Sequence, residues 1–166
     1  MPNKTQVSIA FPGQHDHAAC IRDAVSSAAR ICERRKVRLT PIRRRVLELV
    51  WQSHRPALAY ELLTRLREEK PNATPATVYR ALDFLLAQKL VHKLETLNAY
   101  LGCGNPGGGH PAQFMICSRC GAAAEIDTRP ALRQLEATAA ALEFTITSPT
   151  IELLGYCAAC RKDEND

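Results

Sequence analysis

Four cysteines in the second half of the chain form two C-x-x-C pairs, Cys117 with Cys120 and Cys157 with Cys160. Two such pairs supply four thiolates, the ligand set of a closed, tetrahedral structural zinc site. The 36 residues between the pairs leave room for a strand, a helix and a returning strand, so the metal would hold together the ends of a small α/β unit. Two redox pairs in one short chain would be unusual. Four thiolates also leave no coordination position for a substrate, so the pattern predicts a structural zinc and not a catalytic one.

A second set of potential metal ligands lies outside these pairs: His92, Cys103, His110 and Glu125. A thiolate, two imidazoles and a carboxylate suit four-coordinate zinc, whereas iron and manganese sites more often lack the thiolate. Cys103 lies in a polar, glycine-flanked loop, and three glycines before His110 would let the chain fold back toward a metal. His92 could equally be a partly buried histidine and Glu125 an ordinary solvent-facing residue. From the residues alone, both interpretations stay open.

The elements that would carry these residues begin with four helices in the first hundred residues. Apolar residues recur at helical spacing from 17 to 36, and "LAYELLTRLREEK" gives the third helix. Thr40-Pro41 and Thr74-Pro75 are typical helix starts, because Thr caps the first turn and Pro fits its first position. The run "LVHKLETLNAYLGC" then predicts a pair of strands. Short helices with tight turns followed by two strands predict a winged helix-turn-helix.

The remainder of the chain predicts a different kind of unit. "QFMICS", "AAAEID" and "TIELLGYC" are typical of short strands, and "PALRQLEATAAALEF" of a helix begun by Pro130. The predicted fold class is α+β, a winged-helix domain followed by a small α/β domain. The predicted boundaries are a flexible tail at 1–16, a winged-helix domain at 17–96, a hinge at 97–103 and an α/β domain at 104–166.

Charge divides the chain in a similar way. Residues 1–100 carry 17 Lys or Arg against 9 Asp or Glu, a net charge of +8, and residues 101–166 carry a net charge of −3. A basic first part favours a polyanionic partner, although an unevenly charged solvated surface would look the same. No apolar run approaches the ~20 residues of a membrane span, and no secretory signal is evident. We therefore expect a cytoplasmic protein without a membrane partner, whose seven cysteines stay reduced and available to metals.

The second helix of a helix-turn-helix enters the major groove of DNA, which here is the segment 74–88. Arg80 falls opposite the apolar stripe of that helix, and arginine is well suited to bidentate contact with guanine. The alternative is an exposed salt bridge from Arg80 to Asp83 or Glu61, which would contribute little. Thr77 is near enough to touch phosphates or bases. Arg43, Arg44 and Arg45 suggest phosphate contacts, although one helix cannot aim three consecutive arginines in one direction.

The segments "RLTPIRRRVLELV", "AYELL", "TPATVYRALDFLL" and "VHKLE", followed by the two C-x-x-C pairs, resemble the ferric uptake regulator family of bacterial metal-sensing repressors. Iron- and peroxide-sensing members typically carry a histidine-rich run before the first pair. Here that run is reduced to His110, so the chain is more similar to the zinc uptake regulator branch. The resemblance implies a regulatory zinc site formed by His92, Cys103, His110 and Glu125, and a base contact from Tyr60.

The function implied by this resemblance is a homodimeric, zinc-responsive repressor of zinc-uptake genes. It would hold two zinc ions per chain, one structural and one regulatory, and bind a palindromic operator in double-stranded DNA as one or two dimers. Sensors of iron, manganese or peroxide are the alternatives within the family. A zinc hydrolase is disfavoured because no open metal position or general base stands out, so we expect no enzyme. A plain zinc-ribbon interaction module would leave the basic first half unexplained.

Overall fold

The computed structural model describes residues 7–9, 16–53, 55–107, 113–126 and 129–162. These residues form six helices and seven strands. In chain order they are β1 (Val7–Ile9), α1 (His17–Arg34), α2 (Pro41–Trp51), β2 (Ala57–Leu58), α3 (Ala59–Glu69), α4 (Pro75–Ala87), β3 (Val91–Leu94), β4 (Ala99–Gly102), β5 (Gln113–Cys117), β6 (Ala123–Ile126), α5 (Arg129–Ala141), β7 (Ile151–Gly155) and α6 (Ala158–Lys162).

The predicted helix starts agree with the side-chain caps. Thr40 accepts a hydrogen bond from the backbone N–H of Arg43 at the start of α2, and Thr74 accepts one from Thr77 at the start of α4. Asp16 caps α1 in the same way, accepting from the N–H groups of Ala18 and Ala19. These bonds satisfy donors that have no partner within the helix, which fixes where each helix begins.

A three-stranded sheet in the order β2-β4-β3 packs beside the helices. All of its neighbouring strands are antiparallel, and His92 of β3 pairs with Leu101 of β4. Strand β4, residues 99–102, lies within the segment that the sequence assigns to a hinge at 97–103. These residues belong to the wing because their backbone groups complete the ladder with β3 and their side chains are buried. Of the predicted hinge, Leu97 and Asn98 lie in the turn before β4, and Cys103 follows the strand.

A four-stranded sheet in the order β1-β6-β5-β7 forms the second layer, with β5 and β7 parallel. The connection between these two strands contains α5, which begins at Arg129, one residue before Pro130. Strand β1 lies within the segment predicted as a flexible tail. Residues 7–9 instead pair antiparallel with β6 and cover its outer edge, where unpaired backbone groups would otherwise be exposed.

The hydrophobic core extends from the helices into the second sheet. It contains the inner faces of α1, α2 and α4 and continues through Phe114, Ile116 and Ala123. This shared core brings β3 of the wing sheet close to β5 and β6. Of the helices in the described ranges, none combines the length and the hydropathy that a membrane span requires.

Candidate metal centres and nucleic-acid interface

The two C-x-x-C pairs meet at one end of the four-stranded sheet. Cys117 ends β5 and Cys157 follows β7, and because these strands are parallel, both pairs emerge at the same edge. One ligand atom from each of the four cysteines lies within 4.8 Å of the others. The sulfurs of Cys120 and Cys157 are 3.8 Å apart. A tetrahedral zinc with Zn–S bonds of about 2.3 Å separates its sulfurs by about 3.8 Å, so the geometry fits zinc.

Backbone N–H groups around this cluster favour the ionised, thiolate form of Cys117. The N–H of Cys157 donates to the Cys117 sulfur at 3.4 Å. Together with the backbone N–H of Cys120, it lowers the pKa of Cys117 to about 6. Burial and the neighbouring sulfurs raise the pKa of Cys160 to about 12. Four adjacent thiolates are unfavourable without a cation, so this cluster requires a divalent metal to ionise fully.

A second cluster lies between the wing sheet and the four-stranded sheet. It joins His92 on β3, Cys103 just after β4 and Glu125 on β6, with one ligand atom of each within 4.8 Å of the others. Nε2 of His92 is 3.2 Å from Oε1 of Glu125. The His92 side chain is 11% exposed and that of Glu125 is 1% exposed. Nitrogen, sulfur and oxygen donors at this spacing are a suitable ligand set for zinc.

Neighbouring groups fix the orientation of these three side chains. The N–H of Gly104 donates to Oε2 of Glu125 at 3.1 Å, and the Phe114 ring packs edge-on against His92 with the ring centres 5.3 Å apart. The N–H of Cys103 donates to the carbonyl of Leu90 at 3.0 Å. Burial, with the nearby Glu125 carboxylate, raises the pKa of Cys103 to about 12. The site is therefore already formed, but its thiol keeps its proton until a cation replaces it.

Gly102 sets the position of Cys103 by a close contact with Trp51. A Cβ on Gly102 would overlap Cε2 of the Trp51 ring, so no larger residue fits at this position without a shift of its neighbours. The ring at the end of α2 therefore packs directly on the backbone before Cys103. No sequence pattern indicated this contact, because Gly102 looks like any other loop glycine.

His110, the fourth predicted ligand of the second cluster, lies outside the described residues. The structure therefore brings together His92, Cys103 and Glu125, and the assignment of His110 stays a prediction. Gln113, which begins β5 shortly after the undescribed segment, is completely buried.

The predicted DNA-reading residues lie on exposed surfaces of α3 and α4. Tyr60 is 66% exposed, and Arg80 is exposed on α4 without an ion pair or hydrogen bond to another described residue. Glu61, the alternative partner of Arg80, accepts the backbone N–H of Leu58 at 3.0 Å. The Thr77 hydroxyl lies 3.0 Å from that of Thr74, so it takes part in the start of α4.

The three consecutive arginines of α2 have partners within the protein. The guanidinium of Arg43 lies 3.7 Å above the Phe84 ring and donates to the Arg38 carbonyl at 2.6 Å. Arg44 pairs with Glu48, and Arg45 pairs with both Glu48 and Glu69. These contacts stabilise the helix packing, and the phosphate contacts suggested for the three arginines stay a prediction.

Large apolar side chains are exposed on β5, β7 and α5 and in the segments that follow α5 and β7. They are Met115, Leu135, Leu142, Phe144, Leu153, Leu154 and Tyr156. Met115 of β5 lies opposite Leu153 of β7, so the strands present adjacent apolar side chains to the same side. A patch of this kind is typical of a protein–protein interface.

Glu152 on β7 is a residue that the sequence analysis missed. Its carboxylate accepts the backbone N–H groups of Glu95 and Thr96, in the turn between β3 and β4, at 2.7 and 2.9 Å. Nothing in the sequence signals this contact, because it depends on how the two sheets pack.

Comparison with known proteins identifies the family. The model of the ferric uptake regulator family matches residues 34–154, most of the chain. The chain belongs to the ferric uptake regulator family. Within this family, the zinc uptake regulation protein of Escherichia coli (strain K12) is 42% identical over 142 residues, which cover 84% of this chain and 82% of that protein.

Solved structures of family members have the same architecture. A zinc uptake regulator complexed with zinc and DNA matches with a TM-score of 0.84 at 41% identity, covering 88% of this chain and 98% of that one. Holo XcZur matches with a TM-score of 0.78 at 45% identity, covering 84% of this chain and 98% of that one. Apo XcZur, also 45% identical, reaches only 0.51 over 85% of this chain and 97% of that one.

Proposed function

We propose that this protein is a zinc-responsive, DNA-binding transcriptional repressor of zinc-uptake genes that acts as a homodimer. The family match, the 42% identity to the E. coli zinc uptake regulation protein and the similarity to a zinc uptake regulator complexed with zinc and DNA support this function. Members of the family are transcription regulators, so the chain is not an enzyme.

The observation that carries the proposal is the cluster of His92, Cys103 and Glu125. His92 belongs to the wing sheet, Glu125 to the four-stranded sheet, and Cys103 to the connection between them. Residues 17–96 would form the DNA-binding domain and residues 104–166 the dimerisation domain. A ligand set drawn from both sides can respond to how the two parts are arranged, which a site within one part could not do.

Two zinc ions per chain would have different roles. The four-cysteine site is a closed shell within one sheet, which suits a permanent structural metal. The second site spans two parts of the chain, and we assign it the regulatory zinc with His110 as the fourth ligand. Because the two sites differ in this way, we expect the zinc at the four-cysteine site to stay bound and the zinc at the second site to exchange.

The switch follows from the positions of the regulatory ligands. His92, Cys103 and Glu125 would hold the regulatory zinc, whose charge would neutralise the buried Cys103 thiolate and Glu125 carboxylate, and the three can share one ion only when the two parts lie close together. Closing the site fixes the wing sheet relative to the four-stranded sheet. A few kcal/mol of difference in affinity between the closed and open arrangements suffices to change which one dominates. The better match to holo than to apo XcZur, at equal identity, supports a closed arrangement for this structure.

DNA recognition would use α4 in the major groove. Arg80 is the base-reading residue, Tyr60 adds a contact from α3, and Thr77 lies at the helix start nearest the DNA backbone. The exposed apolar side of the four-stranded sheet and α5 is the surface we assign to dimerisation. A two-fold dimer presents two such helices, so the operator would be palindromic with half-sites one turn, ~34–36 Å, or a multiple apart. One or two dimers would share it.

The test is a titration of operator binding against free zinc, iron(II) and manganese(II), followed by fluorescence anisotropy of labelled DNA. We expect zinc to activate binding at the lowest free concentration, because the Cys103 thiolate favours zinc over the harder metals. Equal or better activation by iron or manganese would overturn the zinc assignment, and metal-independent binding would overturn the switch itself.

A further inference from the structure

We infer that Glu152 is a second, metal-independent anchor between the two sheets, which sets the free zinc concentration at which the repressor binds DNA. This inference rests on the proposed function and deepens it, because it assigns a positioning residue to the same switch. Glu152 belongs to neither metal cluster, so metal binding does not account for its contact with the wing turn.

The contact joins the wing turn to β7. Glu152 accepts two consecutive backbone N–H groups, those of Glu95 and Thr96, at 2.7 and 2.9 Å. Burial alone would raise the pKa of Glu152, but the hydrogen bonds from Thr96 and Glu95 hold it below its usual value. The carboxylate is therefore charged at neutral pH, and hydrogen bonds to a charged acceptor are stronger than neutral ones.

Glu152 and the regulatory site are linked by the register of the sheet. Phe114, the second residue of β5, pairs with Glu125 on β6 and with Glu152 on β7. Directly paired residues project from the same face of a sheet, so these three side chains form one row. Along this row Glu125 and Phe114 contact His92, and Glu152 contacts the turn that begins at Glu95.

The row therefore holds the wing sheet at two points, one at His92 on β3 and one in the turn that follows β3. His92 and Glu95 are three residues apart, so the two contacts are separated by about 10 Å along the strand direction. The metal cluster constrains the wing sheet near His92, beside the shared hydrophobic core. The Glu152 contact adds a second constraint at the wing turn, so it narrows the range of angles between the two parts, which two recognition helices on one operator require.

Because the Glu152 contact forms only when the sheets are closed together, it stabilises the same arrangement that zinc stabilises. Removing it should raise the free zinc needed to reach the DNA-binding arrangement. Loss of hydrogen bonds to a charged group, in a partly exposed position, corresponds to about a threefold to tenfold change in an equilibrium. The structural zinc should be unaffected, because Glu152 does not contact the four cysteines.

The experiment measures the free zinc concentration at half-maximal operator binding for the full-length dimer. The variants are Glu152→Gln, which keeps the size of the side chain but removes its charge, and Glu152→Ala, which removes both hydrogen bonds. Glu136→Gln is the matched control, since Glu136 is an exposed carboxylate on α5 in the same part of the chain. Zinc retained after mild chelation and non-specific DNA binding at low salt are measured for every variant.

We expect both Glu152 variants to shift the midpoint about threefold to tenfold toward higher zinc, with the control, the retained zinc and the non-specific binding unchanged. A midpoint within twofold of the unsubstituted protein in Glu152→Gln overturns the inference, even if Glu152→Ala does not fold. An equal shift in Glu136→Gln also overturns it, because the effect would then come from net charge. If the unsubstituted protein shows no zinc dependence, the proposed function fails, and that result is distinct from either outcome.

Discussion

At the residue scale, the proposed regulatory site places Cys103 and Glu125 together in a nearly water-free position. Both side chains are almost completely buried, and the pKa of the Cys103 thiol is raised to about 12. Since a thiolate beside a buried carboxylate is unfavourable, the metal-free site holds the thiol proton throughout the physiological range. Metal binding requires the thiolate, so each zinc that binds releases this proton.

The resulting pH dependence distinguishes this site from one with an ordinary thiol. We expect zinc binding to release about one proton from Cys103 at pH 8.5, whereas a thiol with the usual pKa of about 8.5 would release about half a proton. Zinc affinity should therefore keep rising about tenfold per pH unit above pH 8.5. Calorimetric titration of the regulatory site in two buffers of different ionisation enthalpy measures the protons released. A value near one half would show that burial does not raise this pKa.

Arg80 carries a second prediction at the residue scale. Arg80→Ala should weaken binding to the operator by about 1–3 kcal/mol, the usual contribution of a bidentate base contact. Arg80→Lys is the matched control, since it keeps the charge and loses the planar fork, so it should restore non-specific binding but not discrimination. Competition between operator and mutated duplexes measures both the non-specific affinity and the discrimination between sequences. An equal loss on every sequence would mean that Arg80 contacts phosphate only.

Residue types were more predictable from sequence than their partners. The spacing of the two C-x-x-C pairs predicts a metal site from the residues alone, whereas Cys103 became a predicted ligand only through the family resemblance. Glu152, Phe114 and Trp51 gave no such signal, because their roles depend on contacts between segments that are distant in sequence.

At the element scale, local chemistry decided which elements could be predicted. The helices that start at Thr40-Pro41 and Thr74-Pro75 were predictable because their caps lie within four residues of sequence. The two-residue strand β2 and the strand β1 were not, because each exists only through pairing with a distant strand. The predicted hinge overlapped β4 for the same reason.

The contact between α2 and the end of β4 gives a prediction about stability. Gly102→Ala should lower the free energy of unfolding by about 1–3 kcal/mol, because the new Cβ would overlap the Trp51 ring and force one of them to move. Gly155→Ala is the matched control, because a Cβ at Gly155 has no neighbour within 4 Å among the described residues. Chemical denaturation of the zinc-loaded variants measures the free energy of unfolding for each substitution. Equal effects of the two substitutions would contradict the close packing on Gly102.

The two metal centres should respond differently to loss of a ligand. Cys117→Ser should destabilise the four-stranded sheet and the dimer, because the metal joins the ends of β5 and β7 through the adjacent cysteine pairs. His92→Ala and Cys103→Ser should leave a folded dimer with one zinc and no zinc-dependent operator binding. Zinc content and sedimentation of the three variants check this contrast. If His92→Ala abolishes dimerisation, the structural and regulatory roles have been exchanged.

At the scale of the whole molecule, the proposed switch depends on how two parts of the chain are arranged. The charge asymmetry and the family resemblance predicted two parts, and the resemblance also implied a metal site with ligands from both, but neither predicted the other contacts between them. The interface depends on a continuous core through Phe114 and Ile116, a metal cluster at one end of β3 and the Glu152 contact at the other. Packing of this kind is specified by the complete fold and has no local sequence pattern.

The most direct measurement of the central claim is the affinity of the exchangeable zinc with and without operator DNA. Linkage requires that the operator tighten zinc binding by the same factor by which zinc tightens operator binding. We predict equal factors in the unsubstituted protein, and no effect of the operator on any zinc that Cys103→Ser still binds. Zinc affinity that is unchanged by a saturating operator would contradict a regulatory metal shared between the two parts.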